Sequence, residues 1–229
     1  MNHNTTDKNV SNRSLMGWGA SAFFAMPLCY VGMFLIFGVA LSIPQSESVN
    51  DKIAYIATQE SMLSLAYIIG YLIFGTLLLI AVQAMHTRLT TSSSHLMNAA
   101  SAFGFIWVVL MMCSGMIALT GMHTMLTLFA KGNSHADTLF YVYTTMVKGL
   151  GGGIELIGGM WVLLLSIFGL KTAQLAKGLH IFGVIVGVLG ILTVMQSVPE
   201  MKDAFGVSQI VWFIWMGIAL LKSRAEFTQ

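Results

Sequence analysis

The sequence predicts an all-α, polytopic membrane bundle of six transmembrane helices with both ends in the cytoplasm. Three observations predict it. Only 9% of the 229 residues are charged, 56% are hydrophobic and the mean hydropathy is +0.80, whereas a soluble globular chain carries roughly 25% charged residues. Six apolar runs meet or approach the length needed to cross about 30 Å of hydrocarbon, which is about 20 residues at about 1.5 Å each. Finally, the basic residues fall unevenly between alternate connections. Transmembrane barrel strands are excluded, because they run about 9–11 alternating residues and no segment alternates.

Taken in order, the expected spans are 18–42, 62–85, 97–122, 142–170, 179–198 and 207–221. They leave a polar N-terminal tail at 1–17, a transmembrane domain at 18–221 and a C-terminal tail at 222–229. The first run continues from Trp18 to about Ile43, well past the about 7–15 apolar residues of a secretory signal. Gly38 and Ala40 leave a cleaved-signal reading open, but the length favours an uncleaved first helix. The second, third and fifth runs are uninterrupted, and the fourth is dense in glycine. The sixth is short, yet Ile210-Val211-Trp212-Phe213-Ile214-Trp215 is too apolar for a loop, so the helix is expected to begin earlier or to sit in thinned lipid. The longest connection is residues 43–61, which leaves no room for a soluble catalytic domain.

Orientation follows from lysine and arginine. With the N-terminus inside, the inner segments hold Lys8, Arg13, Arg88, Lys171, Lys177, Lys222 and Arg224, seven in all. The outer segments hold three, Lys52, Lys131 and Lys202, once Lys148 is left aside as lying near a membrane boundary. The acids Glu47, Asp51, Glu60, Asp137, Glu200 and Asp203 also fall outside. A net charge of +2 and the lack of a basic stripe with interleaved aromatics exclude a nucleic-acid partner.

An ionisable group inside hydrocarbon costs several kcal/mol (about 3 or more) unless it is paired, neutral or hydrated. Glu155 is the carboxylate expected clearly inside the bilayer, roughly 10 Å deep if Lys148 marks the outer interface. Lys148 lies two turns away on the same face, too far for a direct pair, and is read as snorkelling to the outer surface. Glu155 is either a structural carboxyl that joins helices by hydrogen bonds or a group that handles a ligand or proton. At similar depth His123 ends the third span, Gln196 the fifth, Tyr67 and Tyr71 start the second and Gln209 opens the sixth. These seven residues are expected to line one outward-facing vestibule.

The pairs Gly149/Gly153 and Gly183/Gly187 have small-xxx-small spacing, which lets helix backbones approach closely in lipid. They predict close packing of the fourth helix on the fifth. The alternative is a broken helix at Gly151-Gly152-Gly153 whose freed backbone groups face a ligand beside Glu155.

No metal or cofactor is expected. Cys29 and Cys113 sit in apolar runs as small core residues and match no zinc pattern. His86 and His180 share a depth that two haem ligands would need, and Met122-His123-Thr124-Met125 with Met112 and Met116 offers soft Cu(I) ligands. Interfacial histidine and methionine as core filler are the simpler readings of both.

The stretch Gly178 to Leu192, the stretch Ile210 to Leu221 and Trp161 together resemble a bacterial family of small six-helix membrane proteins that is filed as a domain of unknown function. The likeness covers about 160–222. It implies a six-helix bundle in a bacterial cytoplasmic (inner) membrane and supplies no reaction, ligand or catalytic residue. Three functional readings follow. One is a protein that binds or moves a small solute, ion or lipid through the vestibule around Glu155. A second is an accessory subunit whose glycine-rich and aromatic faces bind a membrane protein partner. The third, a membrane enzyme or redox protein, lacks any nucleophile–base pair, metal motif or phosphate loop.

Overall fold

The computed structural model describes residues 3–41, 48–89, 94–152 and 154–226, and the described residues are helical with no strand. The helices are α1 (His3–Leu35), α2 (Val49–Thr58), α3 (Glu60–Tyr67), α4 (Phe74–Leu89), α5 (His95–Ala130), α6 (His135–Val147), α7 (Leu156–Thr172), α8 (Lys177–Leu192) and α9 (Glu200–Glu226). Widened π-type turns continue α1 over Ile36–Ala40, join α3 to α4 over Ile68–Ile73 and extend α6 over Lys148–Gly152.

Five stretches are long and apolar enough to cross a membrane: Ser11–Ala40, Glu60–Leu89, His95–Ala130, His135–Thr172 and Glu200–Ser223. The apolar α8 is shorter, at 16 residues, or about 24 Å. The boundaries differ from the sequence reading where polar residues continue a helix. The expected N-terminal tail is helical from His3, with Met16 fully buried. His123 does not end its helix, because α5 runs on to Ala130. There Gly132 takes the left-handed conformation (φ 64°) and the Gly132 and Asn133 N–H groups close on Phe129 and Leu128 carbonyls, a glycine-terminated helix end. The 43–61 connection contains α2, where the Ser48 hydroxyl accepts from the Asp51 N–H at 3.4 Å as an N-cap. Gln209 does not open the last helix, which starts nine residues earlier at Glu200.

The chain divides into two compact units. The first comprises Met1–Leu28, Thr76–Val108 and Glu155–Gln229. Within it α7 packs on α8 and α8 on α9, and fully buried aromatic rings form the centre. Trp161 stacks on Phe23 at 6.5 Å and meets Trp212 edge-on at 5.7 Å and Trp107 at 5.8 Å. Phe213 packs against both Phe23 and Trp212. Outward, α8 presents Ile181, Ile185, Val188 and Leu192, and α9 presents Val207, Val211, Ile214 and Ile218, each a stripe at helical spacing. Ser166, His180, Thr193 and Gln209 are buried. Apolar stripes outside and polar groups inside reverse the arrangement that water favours and suit a surface solvated by lipid.

The second unit comprises Cys29–Gly75 and Val109–Ile154, and contains all three π-type turns described. Here Tyr143 packs on Gly121, where an added Cβ would lie 2.6 Å from its ring-bearing carbon, and Tyr71 packs on Gly115 at 2.8 Å. Phe37, Tyr67 and Tyr71 form a chain of ring contacts at 6.0 and 6.1 Å. Met33 fills the space left by Gly70.

Candidate functional site

The run His135–Thr172 is not one continuous helix. α6 ends at Val147, the following π-type turn includes Gly151 at φ 149°, ψ 3°, and α7 starts only at Leu156. A φ of that size is reached by glycine at little cost and by other residues only with strain. Of the glycines that motivated a broken helix, Gly153 lies outside the described residues, as does its pairing with Gly149.

The break places Glu155 at the N-cap of α7. Its carboxylate does not cap the helix, although an anion there is favoured by the helix dipole. Instead its backbone N–H donates to the Thr193 hydroxyl at 2.7 Å, and that hydroxyl donates to the Gly190 carbonyl at 2.7 Å. One side chain thus uses both its donor and an acceptor to fasten the start of α7 to the end of α8. The Glu155 Oε2 atom is buried with no hydrogen-bond partner among the described residues. The cation that acts on Glu155 is Lys202, in the first turn of α9; Lys148 is exposed and belongs to the second unit.

Replacing Thr193 by valine keeps the shape and strands the Glu155 N–H, while the Gly190 carbonyl keeps the backbone N–H of residue 193 at 3.3 Å. A destabilisation of about 1–3 kcal/mol is expected for a buried group left unsatisfied, read as an earlier midpoint in denaturant titration of the detergent-solubilised protein.

The other predicted residues are distributed as follows. Gln209 is fully buried in α9, on the same face as Phe205, and neither end of its amide has a partner among the described residues. Gln196 does not end a helix; α8 stops at Leu192 and Gln196 lies exposed in the turn after it. Glu155, Gln196 and Gln209 belong to the first unit; His123, Tyr67, Tyr71 and Lys148 belong to the second. There the His123 imidazole faces Glu60 at 3.6 Å, both being exposed. Tyr67 and Tyr71 do not start a span, since α3 opens at Glu60; Tyr67 closes α3 and Tyr71 lies in the π-type turn beyond it.

The glycine pairs behave differently. At Gly187 an added Cβ would lie 2.7 Å from the Leu163 backbone nitrogen, and at Gly183 it would meet the Ser166 hydroxyl and the Trp212 indole nitrogen. At Gly149 it would meet nothing within 4 Å. Trp161 and Trp212 are interior, so those aromatic faces are not on offer to a partner.

At the far end of α7 lies a cluster that composition did not reveal. Ala173 and Leu175 are both left-handed (φ 53° and 59°), a costly conformation for residues with a Cβ. Between them Gln174 accepts from Arg88 at 3.3 Å and donates to the Leu89 carbonyl at 3.1 Å. Its own carbonyl lies 2.7 Å from His180 Nε2. A carbonyl only accepts, so Nε2 carries the proton and, in the neutral ring, Nδ1 is a bare acceptor. His86 Nδ1 is 2.7 Å from the Ser101 hydroxyl. His86 and His180, whose shared depth a haem would need, thus each make one local hydrogen bond. Met122 and Met125 are buried while His123 is exposed. Among the described residues no three His, Cys, Asp or Glu side chains gather as a metal would require, and Cys29 and Cys113 are free.

The fold and its inverted surface define an all-helical protein with apolar helices of membrane-crossing length. No family model, curated protein or solved structure matches the chain.

Proposed function

We propose that the chain is a six-span protein of a bacterial cytoplasmic membrane, with both termini inside, that binds or moves a small solute, ion or lipid at Glu155. Five spans are the long apolar stretches and the sixth is α8, accommodated by thinner lipid. Basic residues favour the inside. The observation that carries the functional reading is the Glu155 carboxylate at a helix break, with one oxygen buried and unpartnered. Such an oxygen asks for a cation or a hydrogen-bond donor, so the ligand is positively charged or rich in donors. No nucleophile or cofactor chemistry is needed.

Cysteine placed at position 155, in a variant lacking Cys29 and Cys113, is expected to react with an impermeant thiol reagent added from outside. Labelling only after the membrane is opened would end the vestibule. Glu155→Gln is expected to weaken ligand binding about 10–100-fold, the scale of one hydrogen bond to a charged group.

A further inference from the structure

In the first unit α8 and α9 turn two exposed stripes outward, side by side. Lys177, Ile181 and Ile185 follow one another along α8, and Trp215, Ile218 and Lys222 along α9, each set at helical spacing. The two helices run antiparallel. Phe205 lies at Gly190, Trp212 at Gly183 and Trp215 at Gly178, where an added Cβ would be 3.4 Å from the indole. The Trp215 ring also meets Phe182 at 6.3 Å. Trp215 therefore reaches across to α8, and the two stripes border one continuous face.

Each stripe is apolar along its length and ends in a lysine at the same end of the first unit. Lys177 is the first residue of α8, and Lys222 lies two turns beyond Trp215 on the same face of α9. Lys222 is about 9 Å farther along the axis than Lys177. Helical side chains tilt toward the N-terminus of their own helix, so Lys177 points away from the apolar face and Lys222 back toward it, and the flexible stems close that offset. Lys171, exposed near the end of α7, stands at the level of Gly178, because Gly169 lies against His180. The inner segments as a whole hold seven bases against two acids, Asp7 and Glu226. An apolar face with cations at one end complements a lipid with acyl chains and an anionic headgroup. α8 has 16 residues, or about 24 Å against about 30 Å of hydrocarbon, so Lys177 begins at the hydrocarbon edge and its stem carries the ammonium to the level of the phosphates. Trp215 sits about one turn deeper, where interfacial indoles gather. A second copy fits this face less well, since a two-fold pairing sets the lysines of both copies against each other.

We propose that this face binds an acidic phospholipid, with the headgroup phosphate held by Lys177 and Lys222, Lys171 beside them, and the acyl chains lying along Ile181, Ile185, Trp215 and Ile218. The proposal rests on the reading that α8 and α9 cross a membrane. It is independent of ligand binding at Glu155, which is tied to Thr193 at the other end of α8. A zwitterionic phospholipid covers the apolar stripes equally well, so the preference for an acidic one comes from the lysines. Each lysine near an anionic headgroup is worth about fivefold in association, and salt screens that gain.

The test uses the full chain in vesicles of phosphatidylcholine with a minor share of phosphatidylglycerol, the acyl chains of one or the other being brominated to quench tryptophan fluorescence. The difference between the wild type and Trp215→Phe isolates Trp215. At equal mole fraction, brominated phosphatidylglycerol is expected to quench Trp215 with an apparent affinity at least about fivefold that of brominated phosphatidylcholine. The preference is expected to vanish in the Lys177→Gln, Lys222→Gln double variant and in high salt, and to survive when both lysines become arginine. Arg13→Gln is expected to leave it intact, because α1 meets another flank of α9, with Gly19 at Leu220 and Phe24 at Gly217. Equal quenching by the two lipids in the wild type overturns the proposal, as does a loss in Arg13→Gln as large as in the double variant, which would reveal a diffuse field in place of a site. The exposed Trp18 of α1 reports on the membrane reading separately. If Trp18 is quenched and Trp215 is not, the chain lies in the bilayer with protein over this face, and the lipid site alone fails. If neither is quenched, the membrane reading fails with it.

Discussion

Gly159→Ala is expected to be among the most damaging single-methyl changes at the described glycines. An ideal Cβ at this position lies 2.7 Å from the Gly187 carbonyl oxygen, 2.7 Å from the Ile191 nitrogen and 2.8 Å from the Gly190 carbonyl carbon. All three are backbone atoms of α8, so no side chain can rotate away and the two helices must separate. Separation also strains the Glu155–Thr193 bond one turn away. Overpacking a tight core costs typically about 1–3 kcal/mol, and with rigid backbone as the obstacle the upper end applies, about a hundredfold in the folded-to-unfolded ratio. Unfolding in mixed micelles, followed by helical circular dichroism, reads the shift. Gly149→Ala is the control: nothing lies within 4 Å of its added Cβ, and a change within about 0.5 kcal/mol is expected. Equal stability of Gly159→Ala and the wild type would mean that α7 and α8 do not meet at this glycine.

Trp161→Ala is expected to cost about 3–5 kcal/mol, the range for deleting a large buried ring. Trp161 is fully buried and touches the rings of Phe23, Trp107 and Trp212. Each well-oriented aromatic pair adds about 0.5–1.5 kcal/mol beyond the area it buries. Trp161→Phe keeps a ring for Phe23 to stack on, so it is expected to lose much less than Trp161→Ala. If the two variants unfold at the same midpoint, the ring contacts contribute nothing and volume alone matters.

How much of this could be read from the chain depends on the residue. Glu155 was identifiable because a carboxylate within an apolar run is costly wherever it points. Its companions were not. Thr193 stands 38 residues away and is an ordinary hydroxyl at a helix end, while Lys202 resembles any loop cation. Gln174 sits in a short polar connection with nothing to separate it from its neighbours. Ser166 was hidden because one serine in an apolar helix bonds its own backbone as readily as it faces another helix. Gln209 stands out in the sequence by its depth, but the helix that carries it begins at Glu200, because Glu200, Lys202 and Asp203 continue the helix beyond the apolar stretch.

Sequence alone determined the helical class, the apolar runs and the unusual position of Glu155. These are properties of local composition: backbone groups without water must bond within their own segment, and hydropathy adds up along the chain. Tertiary structure decided which faces meet. Gly149 and Gly183 carry similar spacing signals, yet one faces open space and the other a serine and a tryptophan. A helix apolar all round does not encode its own rotation, because lipid accepts every face about equally well. The choice falls to close approach at Gly159, Gly183 and Gly187 and to the few polar groups that must find partners inside.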